Sequence, residues 1–268
     1  MEGYRLLQNG LRVLVIIVCA IIISGCKEST WNNPYPAEDA EANTLYTSFS
    51  GRPKHLDPAQ SYSSNEIAFT GQIYEPPLQY HFLKRPYEII PLAATKVPKA
   101  TYYNKKGEAI PDNAPIKDIA YTIYEIKIKK GIKYQPHPAF AKDEDGVPLY
   151  LDLSPEEIDN KFTLSDFKET GTRELMANDF VYQIKRLAHP RLHSPIYGLM
   201  TAYIDGLKKF GDQLRRADEV LKKKEGDDAF LNLNKYAIDG VKVINRYTYS
   251  VKIKGKYPQF LYWLAMPF

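Results

Sequence analysis

The sequence predicts a mixed α/β fold, and three stretches carry that reading. From Thr122 to Ile128 the residues alternate, with Thr122, Tyr124, Ile126 and Ile128 on one face and Ile123, Glu125 and Lys127 on the other. A period of two is the mark of a half-buried strand, and Lys130-Gly131 closes it. A second alternation sets Tyr247, Tyr249, Val251 and Ile253 opposite Thr248, Ser250, Lys252 and Lys254, after an apolar run at Val241 to Ile244, so that Asn245-Arg246 is the expected turn of a hairpin. Between them Ala177, Phe180, Val181, Ile184, Leu187 and Ala188 recur at the three-and-four spacing of one helix face, and Pro190 ends that helix.

The remaining elements follow in order along the chain. Thr44 to Phe49 has strand composition, and Gly51 with Pro53 stops it. From Glu66 to Tyr74 the apolar positions Ile67, Ala68, Ile73 and Tyr74 suit a short helix, with Asn65 or Ser64 as its cap and Pro76-Pro77 as its end. Leu207, Phe210, Leu214, Ala217 and Leu221 step by three and four among Lys, Arg, Asp and Glu, a helix docked on one side. Residues 141–174 hold ten acidic side chains against four basic ones, with Gly and Pro scattered among them, and read as an exposed insertion.

Composition narrows the function classes. The chain of 268 residues has 36 Lys and Arg against 32 Asp and Glu, a net charge of +4, which speaks against a nucleic-acid protein. With 44% hydrophobic and 25% charged residues it can fill a sizeable core. Its two cysteines, Cys19 and Cys26, cannot build a disulfide framework or a cysteine metal site.

The amino terminus reads as an address. Arg5 and Arg12 precede the uncharged apolar run Val13 to Ile23, too short for a bilayer core but suited to a secretory signal. Ile23-Ser24-Gly25-Cys26 resembles a bacterial lipobox, in which the signal is cut before the cysteine and the thiol receives lipid. A short membrane anchor with a chance cysteine is the alternative. The polar, proline-bearing stretch after Cys26 suits a tether, and a lipid-anchored, extracytoplasmic, periplasmic body attached to a cell-envelope membrane is the expectation.

Candidate chemistry is sparse. Asp143, Asp145 and Gly146 share the spacing of a calcium loop, yet its first ligand position is Ala141, so a solvated acidic loop is the better reading. His189 and His193 are four apart, but Pro190 and Pro195 argue against the continuous helix that would make them metal ligands. His55, His81 and His137 have no neighbouring nucleophile pattern, and neither a GxSxG elbow nor a glycine-rich phosphate loop occurs. The reading is therefore a protein that is not an enzyme and takes no cofactor or metal. What stands out is 21 Tyr, 11 Phe and 2 Trp, residues that serve binding surfaces as well as cores.

Several blocks together resemble the family 5 extracellular solute-binding proteins of ABC importers. They are Leu56-Asp57-Pro58 followed by Gln72-Ile73-Tyr74-Glu75; Pro91-Leu92-Ala93-Ala94; Tyr121 to Lys133; Ala177-Asn178-Asp179-Phe180-Val181-Tyr182 with Lys185-Arg186-Leu187; and Ile238 to Tyr249 with Phe260 to Pro267. Where the family usually has a threonine before the helix alanine, this chain has Met176, so the cap must come from Asn178 or elsewhere. The acidic insertion is also longer than usual.

The resemblance implies a periplasmic-binding-protein type II-like lobe with an inserted α+β domain and the second lobe missing. Its expected divisions are a signal peptide at 1–25, a tether at 26–44, an incomplete first lobe at 45–75 plus 175–268, and an inserted domain at 76–174 carrying the acidic loop 141–174. It implies capture of oligopeptides or another small solute outside the membrane, and delivery to an ABC permease by hinge closure. It implies that Tyr62, Ser63 and Ser64 pair with the backbone of an extended ligand. Losing one wall of such a clamp would leave roughly −4 kcal/mol of about −8, or millimolar affinity. The alternative is a structural or adaptor envelope lipoprotein that keeps one lobe and binds protein partners.

Overall fold

The computed structural model describes residues 46–268, together with Tyr35, Glu38 and residues 41–43. The chain divides after Ser50 into two units, each described by itself. The expected signal, Cys26 and most of the tether lie outside the described residues. In the first unit the rings of Tyr35 and Tyr46 stack with centroids 3.6 Å apart. Residues 46–49 are exposed and irregular, so the strand expected over 44–49 is corrected there. Strand composition needs a sheet edge to pair with, and among the described residues no ladder reaches 46–49.

The second unit, residues 51–268, is a mixed α/β body. Its strands are β1 (Leu78–Tyr80), β2 (Ile89–Pro91), β3 (Ala100–Tyr103), β4 (Ala109–Ile110), β5 (Tyr121–Lys127), β6 (Val241–Asn245) and β7 (Thr248–Lys254). β1 and β2 form a small antiparallel hairpin, while the other five make one antiparallel sheet in the order β4-β3-β5-β7-β6. The alternation holds in β5: Thr122, Tyr124 and Ile126 are buried, and Glu125 and Lys127 face water. The turn of the β6–β7 hairpin falls at Arg246-Tyr247, one residue later than the composition suggests, because a bulge between Val243 and Asn245 shifts the register.

β5 and β7 pair over seven residues, from Tyr121 opposite Lys254 to Lys127 opposite Thr248. This ladder joins a stretch expected in the inserted domain to one expected in the first lobe. The boundary expected at 76 and 174 is therefore not drawn in the sheet, where both stretches share one set of hydrogen bonds. The acidic stretch departs from the body between antiparallel bridges at Lys133–Glu174 and His137–Gly171. Its residues 142–170 are mostly exposed, with a short α-helix, α2 (Pro155–Ile158), and a 3-10 turn at Leu164–Asp166.

The remaining helices are α1 (Ser64–Ile73), α3 (Ala177–Leu187), α4 (Tyr197–Tyr203), α5 (Leu207–Glu225) and α6 (Phe260–Trp263). α3 buries Ala177, Phe180, Val181, Ile184 and Leu187, as its spacing requires, and lays Phe180 flat on Tyr249 of β7 with ring centroids 5.6 Å apart. Its cap is not Asn178. Asp179, three residues past Met176, accepts the Met176 N–H at 2.8 Å and is itself gripped by both terminal nitrogens of Arg173.

α5 starts at Gly206, whose φ of +76° favours glycine, and buries Leu207, Phe210, Gly211 and Leu214. α4 had no clear sequence signal. It settles by close approach: a Cβ on Gly211 would lie 2.8 Å from Tyr197 Cζ, so the ring occupies the space that the glycine leaves. The core centres on Tyr124, Tyr249, Phe210 and Phe260 with the aliphatic residues of β5, β7, α3 and α5. Among the described residues no helix is long and apolar enough to cross a membrane.

Candidate functional site

Tyr62, Ser63 and Ser64 sit where a loop turns into α1. Ser63 is the N-cap, in extended conformation, and Ser64 is the first helical residue, so the cap lies one residue before the Ser64 or Asn65 that composition suggested. The organising group is Glu66. Its Oε2 accepts the N–H groups of Tyr62 and Ser63, both at 3.1 Å, and its Oε1 accepts those of His55 at 3.0 Å and Lys54 at 3.2 Å. Only 4% of Glu66 is exposed. Hydrogen bonding by Ser63, through its hydroxyl and then its N–H, and by the His55 and Tyr62 amides holds the Glu66 carboxyl at about 2 against burial, which pushes the other way.

This geometry bears on how the segment can meet a ligand. The Tyr62 and Ser63 amides are already given to Glu66, and the Ser63 carbonyl accepts from Glu66 N and Ile67 N. What the loop offers outward is the Tyr62 ring, 51% exposed. The Ser63-x-x-Glu66 spacing is a capping-box pattern, the one sequence signal that could have revealed Glu66.

The loop is also tied to α3. Asp57 takes a two-pronged ion pair from Arg186, at 3.0 Å to Oδ1 and 2.7 Å to Oδ2, while its own carbonyl accepts the N–H groups of Gln60 and Ser61. Two of the sequence blocks, Leu56-Asp57-Pro58 and Lys185-Arg186-Leu187, thus meet through one contact. A double-mutant cycle on Asp57→Ala and Arg186→Ala, followed by urea unfolding, is expected to give a coupling of about 1.5 kcal/mol, since both side chains are partly exposed. A coupling of zero would remove this tether from the account.

Beside the loop lie two adjoining, shallow apolar clefts of about 20 and 10 Å³ that share Trp263, Met266 and Phe268. The smaller is walled by Ser61, Tyr62 and Ile67 on one side and Ile196 on another. The larger runs inward over Phe180, Ile184, Tyr249 and Phe260. Their cover is the stretch from Phe260 to Phe268, held by Leu78 N–H donating to Leu264 O at 2.9 Å, by Trp263 Nε1 donating to Tyr257 Oη at 3.2 Å, and by Gln183 donating to Phe268 O. One polar group in the smaller cleft stands out. Ser61 is 6% exposed, and its hydroxyl has no hydrogen-bond partner, a state that costs about 1 to 3 kcal/mol when no outside group supplies one. Sequence reasoning missed Ser61, Ile67, Ile196 and Trp263, which are brought together by packing rather than by spacing.

The other candidates are occupied locally. Asp143 accepts the Val147 N–H at 2.8 Å and shapes a turn around Gly146. His81, His137 and His189 each use Nδ1 to accept an amide two residues on. Burial holds the His189 imidazole below its usual range, and His193 lies past the end of α3 at φ +50°. Among the described residues no group of three His, Cys, Asp or Glu gathers as a metal site.

No family model matches the chain, and no curated protein is similar to it at a significant level. Solved structures are. The murein tripeptide binding protein MppA of Escherichia coli is similar over 81% of this chain and 28% of its own, at 17% identity and a TM-score of 0.45. The pheromone receptor PrgZ is similar over 81% and 28%, at 19% identity and a TM-score of 0.42. A periplasmic oligopeptide-binding protein, OppAIV, from Borrelia burgdorferi is similar over 80% and 28%, at 13% identity and a TM-score of 0.44. The chain thus spans little more than a quarter of the length of these proteins, to which four-fifths of it is similar.

Proposed function

We propose that this chain is part of the substrate-binding component of an ABC-type peptide importer, lipid-anchored through Cys26, which captures oligopeptides outside the cytoplasmic membrane and passes them to a permease without catalysis. The observation that carries the reading is the cleft at Tyr62: a loop locked by Glu66 and by Asp57–Arg186 forms one wall of an apolar recess whose buried Ser61 hydroxyl lacks a partner. At about 10 Å³ the recess has room for a water-sized group beside Ser61, so a ligand reaches that hydroxyl only when the 260–268 cover moves aside. The five sequence blocks, in the order the family has them, support the same reading.

The geometry refines the ligand role proposed for Tyr62, Ser63 and Ser64. With two of their amides committed to Glu66, recognition falls to the Tyr62 ring stacking on a ligand side chain and to the Ser61 hydroxyl donating to a carbonyl or carboxylate of the peptide. Titration of this chain with short peptides, followed residue by residue in NMR spectra, tests it. Millimolar affinity is expected, with shifts confined to Ser61, Tyr62, Ile67 and Trp263, and Tyr62→Ala weakening binding about tenfold. Shifts scattered elsewhere, or none at several millimolar, would sink the peptide reading. A stable complex with an envelope protein would then favour the adaptor alternative.

A further inference from the structure

The β1–β2 hairpin ends in His81-Phe82-Leu83-Lys84-Arg85-Pro86-Tyr87-Glu88, and its tip is the most exposed apolar surface of the 51–268 body outside the acidic excursion. Phe82 is 89% exposed and Leu83 77%, side by side at the turn. Soluble bodies rarely hold two large apolar neighbours fully in water without a use for them.

The tip does not fold back because its own hydrogen bonds hold it out. His81 N–H donates to Glu88 O at 2.7 Å, and His81 Nδ1 accepts the N–H groups of Leu83 at 3.2 Å and Lys84 at 3.3 Å. The strands behind it are anchored, with Leu78 fully buried and Leu92 N–H donating to Pro77 O at 3.0 Å.

Beside the apolar pair are two cations: Lys84, paired with Glu88 at 2.7 Å, and Arg85, whose guanidinium lies 4.4 Å from the centre of the Tyr87 ring. Three tyrosines are grouped, with Tyr80 edge-on to Tyr87 at 5.8 Å and stacked on Tyr262 at 6.0 Å. An exposed apolar pair beside two cations, with tyrosines close by, is the combination of side chains that interfacial membrane contacts use.

We infer that the 82–87 tip docks on an anionic lipid surface, with Phe82 and Leu83 entering the acyl boundary and Lys84 and Arg85 meeting the headgroup phosphates. Lys84 and Arg85 against Glu88 leave the tip a net charge of +1 beside its apolar pair, which favours an anionic lipid surface over a purely apolar protein groove. The inference is independent of the peptide reading and of any lipid on Cys26, because it concerns where a hairpin tip lies and not what holds the chain near a membrane.

The test is a Phe82→Trp variant of the full chain, mixed with vesicles of phosphatidylglycerol or phosphatidylcholine whose acyl chains carry bromine, and read against the parent chain for the background from Trp31 and Trp263. Emission from the introduced indole is expected to shift to the blue and to be quenched by the anionic vesicles. Neutralising the two cations with Lys84→Gln and Arg85→Gln should weaken that quenching about tenfold, since each cation near such a surface is worth a several-fold gain. Near-UV circular dichroism confirms that the variants keep their packing. An unquenched indole on anionic vesicles to which the chain sediments would overturn the inference, whether the amino-terminal apolar run or a protein contact then explains the sedimentation. Equal quenching on both lipids would overturn it as well.

Discussion

Phe260→Ala is expected to lower the unfolding free energy by about 3 to 5 kcal/mol, measured by urea denaturation. The ring is almost wholly buried, sits 5.4 Å from the ring of Tyr124, and lines the inner cleft beneath the cover segment. Removing it takes away transfer energy and leaves a space that β5 and β7, paired along seven residues, cannot close by moving together. The same substitution loosens the 260–268 cover, so peptide-induced NMR shifts at Trp263 should fade with it. A loss below about 1 kcal/mol would mean that the cover carries little of the core.

Acid should act through Glu66. Its carboxyl titrates at about 2 in the folded chain against an ordinary 4.5, so folding favours the ionised form. That contribution is complete above about pH 4.5, declines as the pH falls, and is gone once the pH passes about 2. Glu174 shares the window: the Gly131 amide at 2.7 Å, Arg246 at 2.9 Å and the Tyr247 hydroxyl at 2.9 Å hold its carboxyl at about 2 as well. Urea midpoints of the wild-type chain should therefore drop steeply from about pH 4.5 to about 2. Glu66→Gln should start lower at neutral pH and run flatter through the same range, and adding Glu174→Gln should flatten it further. Parallel profiles for the wild-type and Glu66→Gln chains would show that the four amides gathered by Glu66 do not depend on its charge.

Much of the fold was legible because local burial leaves a local rhythm. The buried faces of β5, α3 and α5 are the faces that alternation and helical spacing marked, from Tyr124 and Ile126 to Phe180, Ile184 and Leu214. The long-range part was not legible. Nothing in residues 121–127 says that they pair with 248–254, so the division that the resemblance implies runs between two strands of one sheet. At Tyr62, Ser63 and Ser64 the Ser63-x-x-Glu66 spacing hints at the cap, but nothing local reveals that Glu66 also takes the amides of Tyr62, His55 and Lys54. α4 escaped because part of what seats it lies on another helix, where Gly211 has no side chain and so admits Tyr197.

β6 is one of the two outer strands of the five-stranded sheet, opposite β4, and presents Val243 and Ile244 to water. An open rim with two such neighbours invites identical molecules to stack, the route by which crowded secretory proteins turn into fibrils. Lys242 and the register slip after Val243 spoil the straight, uncharged template that stacking needs. A safeguard against precipitation thus rests on an exposed lysine and a single slip in the ladder.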